Sequence, residues 1–211
     1  MSRISGPVQQ PQSRPATAAR RRAIIEAAIE VFGSKGFTGG TLADVGAHVG
    51  MTHAGVLHHF RSKEQLLLEM LKYRDAVDVE AFEDQHIPGG AALFEHLIET
   101  ALRNAERVAL VQAYVVLSAD SITEDHPARE YFESRYRILR REVAEAFEVM
   151  CQEKGVHDDE QIKMASASIL AVMDGLQYQW LLAPDTLDLG KATKFAIESI
   201  VTSVVGPPDA D

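Results

Sequence analysis

The sequence predicts an all-α chain in two parts, and three observations lead there. Apolar residues recur every three or four positions from Thr17 almost to the end, and no convincing alternating strand interrupts them. Four helix starts crowd into about fifty residues early in the chain, whereas the later helices are long. Charge divides at the same place: residues 1–63 hold eight basic groups against three acidic ones, or +5, and the other 148 hold 13 against 28, or −15. The total of −10 therefore hides a basic module joined to an acidic body. A basic module of this kind suits a polyanion, although an exposed basic tail can also serve only as a solubilising arm.

Residues 1–16, rich in Pro, Gln and Ser without apolar periodicity, predict a flexible basic arm. In the first helix Ile24, Ala27, Ala28, Val31 and Phe32 make one stripe that Gly36 is expected to end. Thr41 with Asp44 forms a capping box for a short second helix, with Leu42, Val45 and Val49 inward and Gly50 as its stop. Thr52 caps a short third helix, His53 to Phe60. Ser62 with Gln65 opens a long fourth one, from Lys63 to about Asp84.

After Ile87-Pro88-Gly89-Gly90 the periodicity predicts helices at about 91–104, 107–121, 127–154, 158–183 and 188–204, with Pro127 in a first turn and a break at Gly155. About nine helices result. The helix at 158–183 is apolar on more than one side and must be buried in a thick core or between subunits. The expected divisions are the arm at 1–16, a helix-turn-helix domain at 17–62, a ligand-binding and dimerisation domain at 63–204, and a disordered tail at 205–211.

With 46% apolar and 25% charged residues, composition excludes disorder as the main state. The richest apolar run, Ala109 to Leu117, is far short of the roughly 20 residues that span a bilayer. Without an apolar signal core in the first residues, a cytoplasmic location is expected. Cys151, the single cysteine, can neither close an internal disulfide nor by itself build a zinc site, and reads as a core residue.

The pair of short helices at 41–60 is the informative element. Joined by a turn containing Gly50, they make a helix-turn-helix whose second helix fits the major groove of DNA. Small Ala43, Gly46 and Ala47 would let the helices approach, and Val45, Val49, Val56 and Phe60 would fix their crossing. Thr52, His53, His58 and His59 would face outward. A helical hairpin that merely packs into a core has the same periodicity, but the basic charge of this third of the chain favours DNA.

Other chemistries find less support. His48, His53, His58 and His59 invite a metal, yet His53 and His58 are five apart and lack acidic or thiol partners, so no metal site is expected. No Gly-x-Ser-x-Gly, phosphate-cradling glycine loop or His-Glu-x-x-His is present, and neither an enzyme nor a cofactor is expected. The competing reading is a helical small-molecule carrier or dimeric scaffold without specific DNA binding.

Thr41-Leu-Ala-Asp-Val-Gly-Ala-His-Val-Gly50-Met-Thr-His-Ala-Gly-Val-Leu-His-His-Phe60-Arg-Ser-Lys63-Glu-Gln-Leu66 resembles the DNA-binding signature of the TetR family of bacterial transcription regulators. Ala27-Ala28-x-x-Val31-Phe32-x-x-x-Gly36-Phe37 is similar to that family's first helix, and the resemblance runs over about 20–66. Further on, only Asp174-Gly-Leu-Gln-Tyr-Gln-Trp180-Leu-Leu182 resembles some members. The resemblance implies a cytoplasmic homodimeric repressor, an amino-terminal helix-turn-helix and a helical effector-binding body. It implies phosphate contacts from Thr41, Thr52 and Lys63, and backbone or minor-groove contacts from Arg20, Arg21 and Arg22. His53, Ala54, Gly55 and His58 fall at base-reading positions, and His59 at one that is often His or Tyr. Where the family usually has Tyr this chain has Leu57, which either touches a thymine methyl or packs in the core.

In the body, Met70, Tyr73, Phe94, Tyr114, Leu117, Met173, Gln177 and Trp180, with Phe82, are candidates to line a mostly apolar effector pocket, although each is also an ordinary core residue type. Small Ala165, Ser168 and Gly175 beside Ile169 and Val172 are candidates for a dimer interface, the last two helices pairing with their symmetry mates as a four-helix bundle. The expected partners are double-stranded operator DNA, a second copy of the chain and a small effector, with no membrane.

Overall fold

The computed structural model describes residues 14–79, 89–156 and 158–206. Among them it has nine helices and no strand: α1 (Arg14–Gly39), α2 (Leu42–His48), α3 (His53–His59), α4 (Lys63–Val79), α5 (Ala91–Asn104), α6 (Val108–Asp120), α7 (Arg129–Lys154), α8 (Asp159–Leu182) and α9 (Leu189–Val205). No helix among these residues is long and apolar enough to cross a membrane.

Several ends differ from expectation. Helix α1 already includes Arg14, so the last residues of the predicted arm are helical, while 1–13 lie outside the described residues. Gly36 ends the first regular stretch of α1, as expected, with non-helical backbone angles. It kinks the helix at φ 66°, a conformation that suits a residue without Cβ, and one more turn follows to Gly39. Pro127 precedes α7, which starts at Arg129. The end predicted for α4, with Phe82, falls outside the described residues, as does 207–211 of the predicted tail, although Val205 is helical and buried.

The caps explain the short helices. Thr41 Oγ1 accepts from the Asp44 N–H at 3.1 Å, and the Thr41 N–H donates to Asp44 Oδ2 at 3.0 Å, closing the predicted box. Ser62 Oγ accepts from the Gln65 N–H, but Gln65 Oε1 answers one residue further back, at the Arg61 N–H. Between α2 and α3 the Met51 N–H donates to the Gly46 oxygen at 2.8 Å. A Cβ on Gly46 would lie 2.6 Å from the Met51 oxygen. Ala43 and Ala47, by contrast, stay exposed. Gly46→Ala is therefore expected to cost about 1–3 kcal/mol, because backbone rather than a flexible side chain would have to move. Urea unfolding monitored by circular dichroism checks it, and an unchanged midpoint would refute the close approach.

One continuous core joins the amino-terminal helices to the body. Ile24, Ala28, Val31 and Phe32 of α1 pack with Val45, Val56, Phe60, Leu66 and Met70, and this cluster runs on to Tyr114, Leu117 and Phe132. A second cluster joins α5, α7, α8 and α9 around Phe147, Ile169 and Ile197 and includes Cys151. Where α1 crosses α6 the approach is close: a Cβ on Gly33 would lie a tight 3.1 Å from the Ala113 nitrogen, and Gln112 Nε2 donates to the Gly33 oxygen at 3.2 Å. Past the kink, the Phe37 N–H donates to Asp120 Oδ2 at 3.2 Å. This α1–α6 seam is a connection that sequence periodicity does not reveal.

The two apolar sides predicted for α8 are real, but they divide differently. Ala165 and Ile169 are buried inside the protomer, Ile169 completely. The face left open runs Met164, Ser168, Ala171, Tyr178 and Leu182, with Leu182 71% exposed, and Phe195 of α9 is 74% exposed. Val172 and Gly175 are intermediate. Ala165 and Ile169 are therefore committed to the protomer core and unavailable to a partner.

Candidate nucleic-acid interface and effector cavity

Helix α3 presents its polar side outward: His53, Ala54 and His58 are exposed, with Gly55 and His59 half-buried. Thr52 Oγ1 accepts from the Gly55 N–H at 3.1 Å, which leaves its hydroxyl proton available. Of the two alternatives for Leu57, packing against the core is what the structure shows. Burial, with the charges of His58, Arg21 and Arg20, lowers the His59 pKa, so this imidazole is disposed to be neutral.

Three candidate phosphate contacts are engaged elsewhere. Thr41 gives both its N–H and its hydroxyl to Asp44, whose other oxygen takes Lys35 Nζ at 2.8 Å. Hydrogen bonding from Lys35 and Thr41 holds the Asp44 carboxyl down at about 2. Arg21 turns inward, donating to the His59 carbonyl and lying 4.2 Å over the Phe60 ring, with Glu69 at 3.6 Å. It fastens α1 to α3 and α4. Lys63 Nζ sits 4.3 Å over the Phe37 ring, where burial lowers its pKa. Arg20 and Arg22 are exposed, Arg22 with Glu26 at 2.9 Å. Arg61, absent from the expected contacts, is also exposed, in the turn between α3 and α4. Its place between a recognition helix and the next helix start was the available signal.

A cavity of about 790 Å³ opens among α4, α5, α7 and α8. Of the eight candidate pocket residues, Tyr114, Met173 and Gln177 line it. Met70 and Leu117 are core, Tyr73 packs against that core, the Phe94 ring lies tilted 4.7 Å from that of Phe147, and Trp180 is buried with Val111 and Leu189. They are large and apolar, and neighbouring helices cover them.

The wall is also far more polar than expected. Arg74 of α4 pairs with Asp75 at 3.3 Å and Asp78 at 3.4 Å, and its guanidinium lies 4.2 Å over the Tyr114 ring. Asp75 also takes Arg135 of α7 and the Tyr131 hydroxyl, the latter at 2.6 Å. Burial, reinforced by Asp75, pushes the Tyr131 hydroxyl pKa well up. On the α8 side the Tyr136 hydroxyl donates to Asp174 Oδ2 at 2.5 Å. A signal for these groups existed: Leu67, Leu71, Arg74 and Asp78 continue one buried stripe of α4 at spacings of three and four, so the polar pair falls on the inward face. No group of His, Cys, Asp and Glu able to hold a metal occurs among the described residues.

Comparison with known proteins agrees with this architecture. The family described as "Bacterial regulatory proteins, tetR family" matches residues 24–70, and "BetI-type transcriptional repressor, C-terminal" matches residues 91–204, more than half of the chain. The HTH-type transcriptional regulator YezE of Bacillus subtilis is 28% identical over 55% of this chain and 62% of its own length. The probable regulator ArpR of Pseudomonas putida is 24% identical over 80% and 83%. The chain thus spans less than two thirds of the first of these relatives. Among solved structures, SmeT, the repressor of the multidrug efflux pump SmeDEF of Stenotrophomonas maltophilia, has a TM-score of 0.69 at 20% identity over 89% of this chain and 91% of its own. SmeT has also been solved in complex with triclosan, with a TM-score of 0.70 at 19% identity over 92% and 100%. At such identity the likeness speaks for the fold. The two family matches cover both the helix-turn-helix and the helical body, and by them the chain belongs to the TetR family of bacterial regulatory proteins.

Proposed function

We propose that this protein is a homodimeric transcriptional repressor that holds a near-palindromic operator through α3 and releases it when a small amphipathic effector fills the cavity. One observation carries the reading: α6 supplies Tyr114 to the cavity wall and, at the adjoining Gln112 and Ala113, the seam that grips α1. Helix α4 provides a second link, since it begins at Lys63 beside Phe37 and carries Arg74, Asp75 and Asp78 into the cavity. An effector that shifts either helix changes the separation of the two recognition helices, and fixed half-site spacing then loses contacts. A carrier or scaffold would need neither the exposed His53, Ala54 and His58 nor this mechanical continuity.

Base reading falls to His53, Ala54, Gly55 and His58, and phosphate contacts to Thr52, Arg20, Arg22 and Arg61, with Lys63 at the domain junction. Thr41 acts as a cap. The second copy would dock on the open α8 face, Met164 to Leu182, with Phe195 of α9, whose exposed apolar side chains support this reading. Sedimentation should find a dimer at micromolar concentration, and Ala171→Arg, at the centre of that face, should shift it to monomer. A monomeric wild type would remove the two-fold argument.

An electrophoretic shift on a palindromic fragment of the protein's own promoter tests DNA binding directly. For any compound that raises the melting temperature, effector affinity should fall about 5–150-fold in the presence of saturating operator, since coupling between two sites is reciprocal. Equal affinities with and without DNA would mean that the cavity does not regulate.

A further inference from the structure

Five carboxylates line the cavity against Lys72, Arg74 and Arg135 and the His96 imidazole, whose pKa burial lowers, while Arg107 reaches Asp78 from outside the lining at 3.8 Å. The two deep guanidiniums are already committed, Arg74 to Asp75 and Asp78, Arg135 to Asp75, and both lie over the Tyr114 ring. Asp174 makes no ion pair among the described residues, and its hydrogen bond there comes from the neutral Tyr136 hydroxyl. Burial raises its carboxyl pKa against that bond and the charges of Arg74 and Arg135. Three residues on, one helical turn away, Gln177 is 4% exposed, and its Oε1 is buried without a hydrogen-bond partner. Both residues line the cavity. A carboxylate in no direct ion pair, one helical turn from an unpaired amide oxygen, is a site short of N–H donors that carry a positive charge.

From this juxtaposition we infer that the cavity binds a protonated amine with an apolar tail, its ammonium donating to Asp174 and Gln177 and its chain lying along Leu97, Leu139, Leu170 and Met173. An anion would meet the carboxylate excess, and although Arg135 Nε has no hydrogen-bond partner, its guanidinium is already neutralised by Asp75. A quaternary ammonium would satisfy the charge but leave the Gln177 oxygen unpaired, because it has no N–H. The inference names the ligand class of the effector site proposed above, and its regulatory meaning rests on that proposal, whereas the binding itself does not.

Calorimetric titration of the full chain without DNA, at neutral pH, with octylammonium, octyltrimethylammonium and octanoate decides the question. Octylammonium should bind at least about tenfold more tightly than either of the others, the range set by a hydrogen bond to a charged group. Asp174→Asn, which keeps an acceptor for Tyr136, should lose about tenfold for octylammonium. Gln177→Met should bring the two cations together. If the Asn variant does not fold by circular dichroism, the ranking of the three probes on the wild type still decides. Equal or tighter binding of octyltrimethylammonium or octanoate overturns the inference, as does no binding of octylammonium or an unaltered affinity in a folded Asn variant. Octylammonium that binds in the expected order but leaves operator affinity unchanged would refute the regulatory proposal instead. Release of DNA by another compound, with octylammonium not bound, would refute only the ligand class.

Discussion

Raising salt from about 50 to 200 mM is expected to weaken DNA binding by about 10³–10⁵, the loss that follows when a dimer neutralises roughly 6–10 phosphates and releases their counterions. Arg20, Arg22 and Arg61 are exposed, which gives six basic groups in two subunits, the lower end of that range. Arg20→Ala should reduce the slope of log affinity against log salt by about two per dimer without altering base preference. Arg21→Ala should act otherwise: its guanidinium is engaged with His59, Phe60 and Glu69, so its removal should lower stability more than the slope. Fluorescence anisotropy over a salt series measures both. An association constant insensitive to salt would refute the phosphate footprint.

The second large effect is expected at Asp75. Its carboxylate receives Arg74, Arg135 and the Tyr131 hydroxyl, and the two arginine side chains are 10% and 16% exposed. Asp75→Ala would leave two largely buried guanidiniums short of an acceptor, and removal of one partner from a buried pair costs about 3–5 kcal/mol. Because Asp75 itself is about one third exposed, solvent takes up part of that, and the lower end is expected. Asp75→Asn, which keeps an acceptor, should cost less. Chemical denaturation of both variants checks the order, and an Ala variant as stable as the wild type would mean that the network contributes nothing net.

What the sequence revealed was local. The Thr41–Asp44 box needs only residues three apart, and the Gly46 approach only a short turn, so both were legible. The cavity was not, because Asp75 and Arg135 lie 60 positions apart and on separate helices each resembles a solvated charge. Size and apolarity favoured Met70, Phe94, Leu117 and Trp180, but those properties identify what is covered, and an effector needs walls with unmatched polar groups. Direction was hidden as well. Arg21 and Lys63 carry the charge a phosphate wants, and only the nearby Phe60 and Phe37 rings show that both lie inward. On α8, periodicity distinguished the faces without saying which neighbour would cover Ala165 and Ile169.

The missing side chain at Gly33 has a mechanical consequence. With backbone directly against Ala113, the contact has no soft layer of rotatable atoms to compress, so it has little slack. A sideways step of α6 cannot be absorbed there as a change of rotamer. The expected outlet is α1, as a tilt of the amino-terminal unit. Under the proposed coupling, strain entering at the cavity wall would arrive at α3 as rigid rotation, with the distance from the seam to the recognition helix setting its leverage.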